Sequence, residues 1–254
     1  MEKISVVIIT YNEEKNIRRC LESVTPVADE IIVVDSISTD KTKNICSEFN
    51  VQFHEQKFLG YIEQKNYALK FASNDFVLSL DADEALSDEL AASILQEKKS
   101  LGLNGYTMNR CTNYCGKWIK HGGWYPDRKL RLFNHKLGKW GGINPHDKFS
   151  FNKPEETKQL SGDLLHYSYY SVDEHHRQND RFSTIAAEHL FQRGKKYSVI
   201  QHYFSPVLRF VRDYFFNLGF LDGRAGLTIS SLSAGSSFSK YSKLRKLYIN
   251  NGNR

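Results

Sequence analysis

The chain opens on an unbroken apolar run, Ile4-Ser5-Val6-Val7-Ile8-Ile9, with no polar alternation. That is the pattern of a strand buried on both faces of a parallel sheet. Ile17, Cys20, Leu21 and Val24 then recur at helical spacing. A second apolar run, Glu30–Val34, ends at Asp35, and Asp40 is placed to cap a helix reaching about Phe49. A short strand near 51–54 and a helix over 61–72, with Ile62, Leu69 and Ala72 aligned, come next. Asp75–Leu80 predicts a strand that stops at Asp81, and Ser87 predicts the cap of a helix running to about Lys99. The order β-α-β-α-β-α-β-α predicts a doubly wound α/β fold with right-handed crossovers. In such sheets ligands bind beyond the carboxyl ends of the strands. That rule selects Thr10-Tyr11-Asn12-Glu13, Asp35-Ser36 and Asp81-Ala82-Asp83-Glu84.

Past residue 100 the pattern changes. Gly105–Tyr114 and Lys129–Phe133 read as strands around a loop rich in Gly and aromatics. Ser171-Val172-Asp173-Glu174 is a capping box that predicts a helix to about Arg193. Pro206 is expected to open an amphipathic helix to about Leu221, and the tail is expected to fray from Asn250. The organisation expected is a catalytic domain over 1–170, divided into a nucleotide-binding half (1–100) and an acceptor half (101–170). A helical, basic C-terminal extension over 171–254 follows.

Charge sharpens that division. Residues 1–100 carry 11 Lys/Arg against 18 Asp/Glu, whereas residues 193–254 carry 11 against 2. A basic, aromatic end points to an anionic partner such as a membrane surface or a phosphorylated glycolipid, or else to a solvated basic face. No run approaches the roughly 18 apolar residues of a spanning helix. The first apolar run is too short for a signal-peptide core, and Met1-Glu2-Lys3 is a poor basic leader. Four cysteines without a Cys-x-x-Cys pair fit a reduced, cytoplasmic protein. Nucleic-acid binding fits poorly, because the basic segment carries no recognised module and the N-terminal half is acidic.

The candidate chemistry centres on Asp81-Ala82-Asp83, two carboxylates one residue apart after a buried strand. Hard cations such as Mg²⁺ or Mn²⁺ take oxygen ligands, and a nucleoside diphosphate would complete such a site. A turn or capping pair of aspartates is the plainer alternative. Thr10-Tyr11-Asn12-Glu13 opens a helix, where it can face a nucleotide or simply cap. Asp35 can accept hydrogen bonds from a ribose or base. No Gly-x-Gly-x-x-Gly follows the first strand and no P-loop occurs anywhere, which argues against NAD-type Rossmann enzymes and P-loop NTPases. Lys129 and Arg131 share one face of their strand and could meet phosphate. Trp118, Trp124, Tyr125 and Trp140 could stack on a sugar or pack at a core edge. Phe204–Leu221, aromatic and interrupted by Arg209 and Arg212, suits a membrane interface, a helical lid or a dimer contact.

Val6–Glu14 (VVIITYNEE), Val33–Thr42 (VVDSISTDKT), Gln64–Ala68 (QKNYA) and Leu78–Glu84 (LSLDADE) together resemble family 2 glycosyltransferases of the GT-A fold. Gly123–Phe133 (GGWYPDRKLRLF), Gly138–Trp140, His146-Asp147 and Gly219–Gly226 (GFLDGRAG) resemble the bacterial lipopolysaccharide-core glucosyltransferase subgroup. The resemblance spans most of residues 3–245. It implies a GT-A domain, a mostly parallel sheet with a Rossmann-like nucleotide-binding half, and a donor expected to be UDP-glucose. It implies that Thr10, Tyr11, Glu13 and Asp35 hold the nucleoside, that Lys65 lies near the base or diphosphate, that Asp81 sits at the ribose or metal, and that Asp83 ligates the metal. An inverting displacement needs one general base: Asp147 is the first candidate and Asp127 the second. Asp147 stands where the resembled enzymes more often have Glu, one methylene longer. His146 and His166 are candidates for a further metal ligand or for structural histidines, and Arg131 is expected at the donor phosphates.

The expected activity is therefore inverting, metal-dependent hexosyl transfer from a nucleotide sugar to a hydroxyl of a glycolipid or oligosaccharide, on the inner face of the cytoplasmic membrane. Two alternatives stay open at this level: a polyprenyl-phosphate glycosyltransferase, and a non-catalytic membrane-associated binding protein. A nucleotidyltransferase is discounted, since the first strand lacks a Gly-rich basic loop.

Overall fold

The computed structural model describes residues 2–144 and 146–252. Pro145 and the side chain of His146 lie outside the described part. The chain forms two compact units, one of residues up to 110 with 127–167, the other of 111–126 with 168 onward.

In the first unit, β1 (Ile4–Thr10), β2 (Glu30–Asp35), β3 (Gln52–Glu55) and β4 (Phe76–Asp81) run parallel in the order β3-β2-β1-β4. Between them lie α1 (Ile17–Val24), α2 (Thr42–Cys46) and α3 (Tyr61–Ala68). The apolar stripe read from the sequence is the buried face of α1: Ile17, Cys20, Leu21 and Val24 have no solvent exposure. Each large aliphatic side chain buried this way contributes about 1.5–3 kcal/mol. Asp40 closes the turn before α2, accepting from the Thr42 amide at 2.9 Å. α4 (Asp88–Glu97) is capped by Ser87, which accepts from Leu90 N.

Beyond β4 the sheet turns antiparallel through β8 (Asp127–Asn134), β6 (Gly105–Tyr114), β11 (Thr157–Tyr169) and β5 (Glu84–Leu86). The sheet is thus mixed, with its β3-β2-β1-β4 part parallel. β9 (Gly138–Ile143) and β10 (His146–Phe151) form a separate antiparallel hairpin.

Register decides what meets at the carboxyl ends. Thr10 pairs with Asp35 and Ile9 with Asp81, so three of the expected positions lie side by side. On the antiparallel side His166 pairs with Glu84, and the Tyr167 amide donates to the Asp83 carbonyl at 2.9 Å.

The second unit contains β7 (Lys117–Ile119), α5 (Val172–Gln192), α6 (Val199–Val211) and α7 (Gly223–Gly252). The capping box at Ser171 is formed. Pro206 does not open a helix: α6 begins seven residues earlier, at Val199, under a Ser198 cap, and Pro206 lies inside it. The ring's missing N–H leaves one carbonyl in the preceding turn without a helical partner. α7, the longest helix described, runs through Asn250 to Gly252. The GFLDGRAG segment is a tight joint. A Cβ on Gly226 would lie 1.8 Å from the Gly219 carbonyl oxygen, and Asp222 accepts from the His121 amide at 2.8 Å. Tyr114, Trp124, Tyr169 and His175 pack as one aromatic cluster, with Tyr114 Oη 3.1 Å from His175 Nδ1.

Candidate active site

The strand ends carry an ordered set of charges. Asp81, at the end of β4, meets two cations. Lys65 Nζ lies 3.0 Å from Asp81 Oδ1, and an Arg131 terminal nitrogen lies 3.0 Å from Asp81 Oδ2. Arg131 also donates to Glu84 Oε1 at 2.7 Å, and Glu84 Oε2 accepts from the Asp81 amide at 3.0 Å. Burial pushes the Asp81 carboxyl up, but the charges of Lys65 and Arg131 outweigh it and hold it well below the usual carboxylate range. Burial also opposes the Arg131 charge, and Glu84 with Asp81 overcomes that and raises its pKa above the ordinary value.

Lys65 reaches a second carboxylate. Its Nζ sits 2.8 Å from Asp147 Oδ2 and 4.5 Å from the centroid of the Trp140 ring. α3 brings Lys65 there because its neighbour Asn66 clamps β9: Asn66 Nδ2 donates to the Trp140 carbonyl, and the Trp140 amide donates back to Asn66 Oδ1. The QKNYA segment therefore places the lysine and fixes the hairpin carrying Asp147. Trp140 offers no open face for a sugar; it is buried on β9 beneath Lys65 and Arg131. Lys129 and Arg131 share a face as expected. Arg131 is buried in its ion pairs, while Lys129 bonds Asp127 at 3.0 Å.

Asp83 points elsewhere. Its Oδ2 lies 3.2 Å from His166 Nε2, and both side chains are partly accessible. Glu13 lies near this pair. Burial raises its carboxyl to about 7, the hydrogen bond from Asn16 opposes this, and the negative charges of Asp83 and Asp40 add to it. Among the described residues no three His, Cys, Asp or Glu side chains converge as a metal cage. Asp83 with His166 fits a hard-cation site in which the protein supplies few ligands and substrate phosphates the rest. Asp81, already neutralised by two cations, is a less available ligand than its sequence position suggests.

The residues expected to face the nucleoside divide into two kinds. Tyr11 is 58% exposed at the rim and free to stack. Thr10 is buried, and its Oγ1 has no partner among the described residues, nor does Arg131 Nε. Asp35 is buried within its own turn, where it accepts from the Ser38 amide at 2.7 Å and from the Ser38 hydroxyl. Asn12, at φ 53, accepts from the Thr39 amide, which ties the first strand end to that turn. Asp127, the second base candidate, is held by Arg110 at 2.8 Å and Lys129 at 3.0 Å. Glu84 was not singled out as an individual residue by sequence reasoning, although the carboxylate following Asp-x-Asp was its signal. Trp140 as the floor under two cations had no signal at all.

At the carboxyl ends of a doubly wound sheet the structure thus gathers a carboxylate–imidazole pair, Asp83 with His166, and two buried cations, Lys65 and Arg131. The family model for glycosyl transferase family 2 matches residues 5–156, and the chain belongs to that family. It is a nucleotide-sugar-dependent glycosyltransferase of GT-A type. It is 33% identical to an uncharacterised glycosyltransferase of Rickettsia typhi over 100% of this chain and 90% of that protein. It is 26% identical to the lipopolysaccharide core biosynthesis glycosyltransferase LpsC of Rhizobium meliloti over 94% of this chain and 93% of that protein. Among solved structures, S. aureus TarS 1–349 in complex with UDP aligns with a TM-score of 0.49 at 15% identity, over 98% of this chain and 92% of that one.

Proposed function

We propose that the chain transfers a hexose, expected to be glucose, from UDP-glucose to a sugar hydroxyl of a lipopolysaccharide-core-type glycolipid, with inversion at the anomeric carbon. One observation carries the reading: two separate charge assemblies lie at the strand ends, Asp83 with His166 at 3.2 Å and Asp147 with Lys65 at 2.8 Å. The first suits a metal-bound diphosphate and the second suits an acceptor hydroxyl. The core-glycolipid acceptor is supported by the relation to LpsC, which spans nearly the whole chain.

Asp83 and His166 would hold a Mg²⁺ or Mn²⁺ ion, which when bound neutralises the departing diphosphate. Tyr11 stacks on the nucleobase from the rim, while Thr10 and the Asp35 turn shape the nucleoside pocket. Arg131 and Lys65 keep Asp81 ionised and fix it at the end of β4. The acceptor oxygen attacks the anomeric carbon, the bond from that carbon to the phosphate oxygen breaks, and Asp147 takes the hydroxyl proton. Its ion pair with Lys65 at 2.8 Å holds the carboxylate in place for that step. Asp127, paired with two basic groups, is the poorer candidate. Because the acceptor is a glycolipid, the enzyme works at the inner face of the cytoplasmic membrane. No described helix is long and apolar enough to cross a membrane.

Asp147→Asn tests the assignment. The rate of transfer should fall by about 10²–10⁴-fold, with UDP binding in the presence of Mn²⁺ unchanged. Full activity in this variant would move the chemistry to an acceptor that needs no base, such as a polyprenyl phosphate.

A further inference from the structure

α6 is amphipathic the wrong way round for a helix of a globular protein. Val199, Ile200, Tyr203, Phe204, Val207 and Leu208 form a continuous stripe at helical spacing, and all six are exposed. Ile200 is 72% exposed, Phe204 62% and Leu208 64%. On the opposite side His202 is buried against its own unit. His202 bonds the Tyr197 hydroxyl through Nδ1 and the Ser242 hydroxyl through Nε2, each at 2.9 Å. The apolar surface continues past the helix into Phe215, Phe216 and Leu221, with Phe216 79% exposed. An exposed apolar surface of this extent marks an interaction site.

The charges around it identify the partner. From residue 193 onward the acidic side chains are Asp213 and Asp222, and both are buried. Asp213 lies between Arg209 and Arg212, and Asp222 is taken by His121. The side-chain charge this segment shows to solvent is therefore basic: Arg209, Arg212, Arg224, Arg245 and Lys246 are all exposed. A second copy docking through the same face would set like charges against each other. An anionic lipid surface satisfies both features, taking the apolar side chains into the acyl boundary and the arginines at the headgroups.

We propose that the exposed face of α6, with the aromatic turn that follows it, is an interfacial anchor that inserts into anionic lipid bilayers. The proposal rests on the glycolipid-acceptor reading only for its purpose, since lipid binding is measured with neither donor nor acceptor present. The full-length chain is sedimented with vesicles of phosphatidylcholine alone and with vesicles of equal phosphatidylcholine and phosphatidylglycerol. Wild type should bind the mixed vesicles at least tenfold more tightly, and added salt should weaken that binding. Phe204→Ser/Leu208→Ser should lower the partition coefficient by roughly a hundredfold, as expected from losing two large inserted side chains. Ile200→Ser/Phe216→Ser, a second exposed pair, should behave alike. Both variants should keep the wild-type circular dichroism and melting temperature.

Equal binding to both vesicle types, or undiminished binding by both folded variants, would overturn the proposal. So would a wild-type dimer that either pair of substitutions converts to a monomer, because the face would then be a contact between copies. If lipid binding fails while UDP stabilisation and transfer to a soluble acceptor persist, the anchor alone is refuted and the transferase reading stands.

Discussion

Replacing Lys65 with Met removes the cation shared by two carboxylates while keeping most of the side-chain volume. Lys65 is 3% exposed, and its Nζ lies 2.8 Å from Asp147 and 3.0 Å from Asp81. In Lys65→Met, Asp81 keeps Arg131 at 3.0 Å, but Asp147 loses the partner that its 10% exposed carboxylate has among the described residues. Removing one member of a buried pair typically costs about 3–5 kcal/mol. Since Asp81 stays compensated, the expected loss is at the lower end, about 3 kcal/mol. In Lys65→Met/Asp147→Asn the stranded charge is gone, so about 1–3 kcal/mol should return as a coupling energy. Guanidinium unfolding followed by far-UV circular dichroism at pH 7, on wild type, both single variants and the double, completes the cycle. A Lys65→Met protein within about 0.5 kcal/mol of wild type would refute the shared-cation account. So would a double variant no more stable than the single one. The acid side adds a check. The folded-state pKa of Asp81 is depressed, so its contribution is present above the ordinary carboxylate value of 3.8 and is lost as pH falls below it. Lys65→Met should make that loss shallower.

Further predictions concern the other assembly and the second unit. Asp83→Ala should abolish the metal-dependent rise in melting temperature with UDP, and His166→Ala should weaken it; an undiminished shift in Asp83→Ala would remove that aspartate from the metal. Burial raises Glu13 from an ordinary 4.5 to about 7, so the folded state holds a proton that the unfolded state releases. The stability of metal-free wild type should therefore fall by about 1–3 kcal/mol as pH rises through that window, allowing for solvent screening. Glu13→Gln should lack that fall, and parallel stability curves for the two proteins between pH 4.5 and 8 would contradict it. Gly226→Ala places a Cβ 1.8 Å from a backbone oxygen that cannot swing aside, and should cost at least about 1–3 kcal/mol in thermal or chemical unfolding. Gly235→Ala, in the same helix with nothing within 4 Å, should be neutral or stabilising; equal losses in the two would show that the joint at Gly219 is not the cause.

The sequence by itself determined the parallel half of the sheet and which residues stand at its carboxyl ends. Strands such as β1, buried on both faces, need uninterrupted apolar residues, and helices such as α1 need a stripe, so both leave local periodic signals. The ends of those strands are then fixed in sequence, and with them Thr10, Asp35, Asp81 and Asp83. The β9–β10 hairpin and α7 left weak signals. The first is short and rich in glycine, and the second is rich in serine and glycine without an apolar stripe.

What each carboxylate does was decided by tertiary structure, because an aspartate's chemistry depends on the charges that long-range packing brings to it. Asp81 and Asp83 are one residue apart, yet one is neutralised by Lys65 and Arg131 and the other faces His166. The antiparallel pairing of β5 with β11 places His166 there, and the Asn66 clamp on β9 brings Asp147 to Lys65, 82 residues away in the chain. The outward-facing apolar side of α6 is likewise a tertiary fact. Periodicity marks an amphipathic helix, but only packing against the rest of its own unit decides which face is left to the solvent.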